Sequence, residues 1–121
     1  MISRKTALGL LVTVASLILL LSLIPGVGKT PKVPFFDKAA HVVAYAVLGF
    51  LVFCAFPRRN TSSVLILLFS IGICAMYGGA IELLQNAVGR SSELLDLVSD
   101  LAGSALGASI GWLVTRSLPP K

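Results

Sequence analysis

Four apolar runs, each long enough to cross a bilayer, take up most of this 121-residue chain. The hydrocarbon core of a bilayer is about 30 Å thick and a helix rises about 1.5 Å per residue, so one span needs about 20 mainly apolar residues. The runs fall at residues 7–24, 39–56, 63–84 and 94–115. They leave no length for a sizeable soluble domain. Only 12% of the residues are charged, against about a quarter in soluble domains. The expected fold is all-α, a transmembrane bundle of four antiparallel helices forming a single domain over residues 1–121.

The breaks between the runs are short. Pro25, Gly26, Gly28, Pro31 and Pro34 read as a helix stop and loop, Pro57, Arg58, Arg59 and Asn60 as a basic turn, and residues 86–92 as the last connection. Short connections favour antiparallel neighbours. The first run follows Arg4 and Lys5 as a secretory signal would, but it is long for a signal core and no small-x-small cleavage site follows Ile24, so it is expected to remain attached.

A net charge of +5 in a soluble protein would suggest nucleic acid. Here the Lys and Arg residues lie outside the apolar runs, where they anchor spans and favour anionic lipid headgroups, and no nucleic-acid partner is expected. Four spans place Arg4, Lys5, Arg58, Arg59, Arg116 and Lys121 on one side, and Lys29, Lys32, Lys38 and Arg90 on the other. Positively charged loops stay inside, so the expectation is a multi-pass cell-membrane protein with both termini in the cytoplasm.

Cys54 and Cys74 lie within apolar runs and form no CxxC or Cys/His spacing. GVGKT at residues 26–30 imitates the end of a phosphate-binding loop, but the required first glycine is Leu23 and a membrane helix precedes it. There is no GxSxG, HExxH or second histidine, so no metal or cofactor is expected. Gly103, Gly107 and Gly111 form a GxxxGxxxG row that lets another backbone approach, from this chain or from a second copy, so a homo-oligomer is allowed. Gly72, Gly78 and Gly79 read as a similar packing seam.

The polar residues of the spans gather at one face of the membrane. Asp37, His41 and Tyr45 recur every four residues at the start of the second helix and share a stripe. Glu82 and Gln85 lie near the end of the third helix, Asp96 and Asp100 near the start of the fourth, and Arg90 between them. Some have ordinary explanations. Asp37 can cap its helix, and Ser91 or Ser92 can cap the fourth, with Glu93 and Asp96 in or near its first turn. Glu82 resists this, because the dipole at a helix carboxyl end disfavours an anion by about 0.3 to 1 kcal/mol. Asp100 lies one turn deeper than Asp96, and acidic groups within spans usually face a bundle interior or a wet cavity. His41, with Asp37 one turn away to orient it, is the candidate acid or base, and Arg90 can pair with Glu82 or hold a phosphate.

DKAAHVVAYAVLGF at residues 37–50, followed by IELLQNAVGRSSELLDLVSDLAGSALG at residues 81–107, resembles the VanZ-like family of small bacterial membrane proteins. That family joins Asp-Lys-x-x-His on one helix to Glu-x-x-Gln, then Arg, then Asp and a glycine-rich helix. The resemblance is carried by Asp37, Lys38, His41, Tyr45, Gly49, Glu82, Gln85, Arg90, Asp96 and Gly103. The chain departs from it at Asp100, where asparagine is usual. The resemblance implies an envelope role associated with teicoplanin resistance, the polar cluster meeting a cell-wall precursor, glycopeptide or lipid headgroup at the outer face.

Three functions are then in competition. In the first, the polar pocket binds an amphipathic envelope ligand, Arg90 and Lys38 contacting anionic groups while Glu82, Gln85 and His41 supply hydrogen bonds and Tyr45, Asp96 and Asp100 complete the site. In the second, an intramembrane enzyme acts on a lipid-linked or phosphoester substrate, with His41 as acid or base, Asp37 orienting it, and Glu82 or Asp96 as a second acid/base or ligand for a divalent cation. The third is a small transporter or flippase subunit, which the nearly uncharged cytoplasmic halves of the spans disfavour.

Overall fold

The structure, a computed structural model, describes residues 1–24, 36–89 and 93–119. It contains α1 (Arg4–Leu23), α2 (Phe36–Ala55), α3 (Ser63–Ala87) and α4 (Leu94–Ser117), and no strand among the described residues. All four helices are long and apolar enough to cross a membrane. Ser3 caps α1, its Oγ accepting from the Thr6 amide, which starts that helix before the apolar run. Ser62 caps α3 through Leu65 in the same way. α3 continues past its apolar run to Ala87, which puts Glu82 and Gln85 in its last two turns. Gly89, at φ 80°, follows in the left-handed conformation that glycine adopts without steric cost. The stop at Pro25–Pro34 and the caps at Ser91 or Ser92 lie outside the described residues; α4 is preceded by Glu93, which makes no side-chain cap bond.

Both chain ends and the turn at 56–62 share one end of the bundle. Arg4 Nε donates to the Ala55 carbonyl at 2.9 Å, and Thr115 Oγ1 lies 3.7 Å from Met1 Sδ. This end is basic, with Arg58 over the Phe53 ring and Arg116 over Trp112. Lys38, Glu93 and Asp96 occupy the opposite end.

Helices in lipid gain little from hydrophobic association and depend on close packing and buried hydrogen bonds. The closest pair here is α2 and α4, parallel helices that are not consecutive in the chain. A Cβ on Gly103 would stand 2.3 Å from the Val42 carbonyl oxygen, one on Gly107 1.8 Å from that of Ala46, and one on Gly49 2.5 Å from that of Ser104. The glycine row is therefore filled by α2 of the same chain. The seam expected on α3 holds only at Gly78; Gly72 and Gly79 have open space around them because they lie off the packed face. Tyr45, Leu48, Val52 and Cys74 form the main core, onto which α1 lays Leu11, Val14, Ala15 and Ile18. The Tyr77 hydroxyl donates to the Ala15 carbonyl and ties α3 to α1. Ser70 and Ser104, both fully buried, return their hydroxyls to the carbonyls of Ile66 and Leu101.

Candidate functional site at the polar end of the bundle

The glycine contact sets the site, because bringing α2 and α4 backbones together at Val42 and Gly103 also aligns the turns just before them. Lys38 and His41 on α2 then face Glu93, Asp96 and Asp100. Lys38 Nζ donates to Asp37 Oδ2 at 2.7 Å, to Glu93 Oε2 at 2.6 Å and to Asp96 Oδ1 at 2.6 Å. An ammonium has three donors, and all three are used within the protein. Lys38 is thus not free to meet an anionic ligand, contrary to the sequence expectation. Asp37, Glu93 and Asp96 form the acidic group most suited to a cation, and its occupant is this ammonium.

His41 is also held differently from expectation. Its Nδ1 lies 2.6 Å from Asp100 Oδ1, its Nε2 lies 3.9 Å from Asp96 Oδ2, and its ring stacks on Tyr45. Asp37, one turn away on the same helix, is drawn to Lys38, so the residue that orients the ring comes from α4. Asp100 is 2% exposed. Its second oxygen packs against α3 where a Cβ on Gly78 would come within 2.8 Å of it, so that glycine makes room for the carboxylate. Tyr45, also 2% exposed, belongs to the core beneath the ring and presents no free surface.

Glu82 and Gln85, one turn apart on α3, complete the polar end. Gln85 Nε2 donates to the Ser22 carbonyl of α1 at 3.0 Å, while its Oε1 is buried without a hydrogen-bond partner. Among the described residues both carboxylate oxygens of Glu82 are likewise buried without a geometrically formed hydrogen bond. Glu82 lies within electrostatic range of His41, Asp96 and Asp100 and forms no hydrogen bond with them; the Glu93 backbone amide is the donor that interacts with it. Direct hydrogen bonds joining Glu82 to His41 and Asp96, which would favour the enzymatic expectation, are not formed among the described residues. Arg90 lies outside the described residues.

Sequence reasoning gave Gly78 a general packing role and Glu93 a first-turn role. Gly78 stands four residues before Glu82, hence on the same helix face, and that spacing was the available signal. Nothing in the sequence joined Glu93 to Lys38, since the pair is made by the approach of two helices.

A family model described as VanZ/LLP1 matches residues 4–115. Comparison with curated proteins and with solved structures returned no match.

Proposed function

Because the chain belongs to the VanZ/LLP1 family, we propose that this multi-pass membrane protein uses the polar end of its bundle, turned to the outside of the cell, to bind the head of an envelope lipid, cell-wall precursor or glycopeptide, and thereby contributes to teicoplanin-type resistance. One observation carries the reading: three buried acceptor atoms, two on Glu82 and one on Gln85, have no geometrically formed hydrogen bond among the described residues. A buried polar atom left unpaired costs about 1 to 3 kcal/mol, more when charged. Among the described residues the gap is local to Glu82 and Gln85, where a ligand can supply the donors. The outward orientation rests on the basic opposite end, which carries Arg4, Lys5, Arg58, Arg59 and Arg116.

Binding is favoured over catalysis because Glu82 makes no hydrogen bond to His41 or Asp96. The 2.6 Å contact of His41 with Asp100 supports a second reading, an acid/base enzyme acting on a lipid-linked ester, in which Asp100 takes the positioning role expected of Asp37. Transport has less support: the ionisable groups of the polar end reach no deeper than Asp100.

The function is tested by glycopeptide susceptibility of cells producing the chain at matched levels. Wild type is expected to raise teicoplanin tolerance, and Glu82→Gln and His41→Ala to lose that gain. Tolerance unchanged by well-expressed variants would remove the polar end from the function.

A further inference from the structure

The unpaired groups around Glu82 are acceptors, and their surroundings are acidic. All five Asp and Glu residues of the chain, Asp37, Glu82, Glu93, Asp96 and Asp100, gather at this end. Among the described residues Lys38 is the one fixed cation facing them, and its three donors are spent on Asp37, Glu93 and Asp96. A phosphate brought to Glu82 would meet further negative charge, and Lys38 has no donor left to offer it. A quaternary ammonium would bring charge but no N–H. A primary ammonium brings both: one positive charge and three donors, against three buried acceptors on adjacent turns of α3 that have no geometrically formed hydrogen bond among the described residues. Lys38 displays the same chemistry at this end of the bundle, one ammonium shared by three carboxylates at 2.6 to 2.7 Å.

From this we infer that the site at Glu82 and Gln85 recognises a primary ammonium group, such as the amine of a lipid headgroup, rather than a phosphate. The inference rests on the binding reading above and names the chemical class of its ligand. Glu82 supplies the charge and two acceptors, and Gln85, fixed through its Nε2 to Ser22, supplies a neutral third.

The test reconstitutes the full chain in nanodiscs of phosphatidylglycerol containing equal small fractions of phosphatidylethanolamine and phosphatidylcholine, then reads the lipid retained on detergent release by native mass spectrometry. The two zwitterions differ by the methyl groups that remove the N–H donors, so the wild-type comparison alone decides and does not depend on a variant folding. Wild type is expected to keep phosphatidylethanolamine at least tenfold over phosphatidylcholine, and Glu82→Gln to lose the preference. Soluble ethanolamine set against choline, read as a shift in thermal midpoint, separates the sources: stabilisation by ethanolamine without lipid retention assigns a free amine of the same class.

Retention that ignores the headgroup, or favours phosphatidylglycerol, yet changes in Glu82→Gln overturns the ammonium assignment and leaves the binding reading standing. Selectivity that emerges only in Arg90→Gln also overturns it, by making the chain's own Arg90 the occupant of Glu82. No selective retention, no response to ethanolamine and no effect of Glu82→Gln would sink both.

Discussion

His41 Nδ1 and Asp100 Oδ1, on different helices and 59 positions apart, lie 2.6 Å from each other at the polar end of the bundle. With Asp100 2% exposed, the contact joins α2 to α4 inside the bundle. Replacing Asp100 by asparagine keeps an acceptor for the ring and removes the charge. Asp100→Asn is expected to cost about 1 kcal/mol, and Asp100→Ala, which strands the ring, roughly 3 kcal/mol. Thermal unfolding in detergent checks the order; equal losses would mean that the hydrogen bond contributes nothing beyond side-chain volume.

Lys38 bridges three carboxylates and offsets part of their mutual repulsion. Asp37 and Glu93 are partly exposed, with side-chain exposures of 40% and 55%, so water and salt moderate the effect. Lys38→Met is expected to destabilise by about 2 kcal/mol and to recover part of that loss as salt is raised. A loss that salt does not reduce would point to packing of the Lys38 stem instead of charge.

Gly107 and Gly72 make a matched pair. A methyl at Gly107 would stand 1.8 Å from the Ala46 carbonyl oxygen, whereas one at Gly72 meets nothing within 4 Å. Gly107→Ala is expected to cost 2 kcal/mol or more, at the upper end of the roughly 1 to 3 kcal/mol range for overpacking, and to separate His41 from Asp100. Gly72→Ala is expected to be neutral or to stabilise by up to about 1 kcal/mol through helix propensity. Equal melting temperatures for the two variants would show that the α2–α4 approach is looser than described.

The orientation is checked by labelling with a membrane-impermeant maleimide in intact cells, in a chain whose Cys54 and Cys74 are replaced by alanine. Glu93→Cys is expected to react from outside, and Arg59→Cys only after the cells are opened. The reverse pattern would place the polar end in the cytoplasm and remove extracellular ligands from consideration.

The spans were legible because length and apolarity are the quantities that a bilayer selects, and α2 and α4 begin within three residues of their apolar runs. The polar residues were legible as a group for the same reason, each being costly in lipid. Their partners were not. Spacing along one helix pairs Asp37 with His41, but the pairs that form, His41 with Asp100 and Lys38 with Glu93 and Asp96, depend on which helix fills the glycine row. The row at Gly103, Gly107 and Gly111 announces a close approach without saying that α2 makes it. Glu82 was singled out as a carboxylate needing a partner, and it is the one whose oxygens have none among the described residues.

The most direct measurement is native mass spectrometry of the chain purified from cell membranes, comparing the species bound to wild type with those bound to Glu82→Gln and His41→Ala. A defined envelope lipid or precursor carried by wild type and lost in both variants, with their helix content intact, is the expected result. Unselective lipid that is the same in all three would contradict a binding site at Glu82, and would make the polar end an internal clamp between α2, α3 and α4.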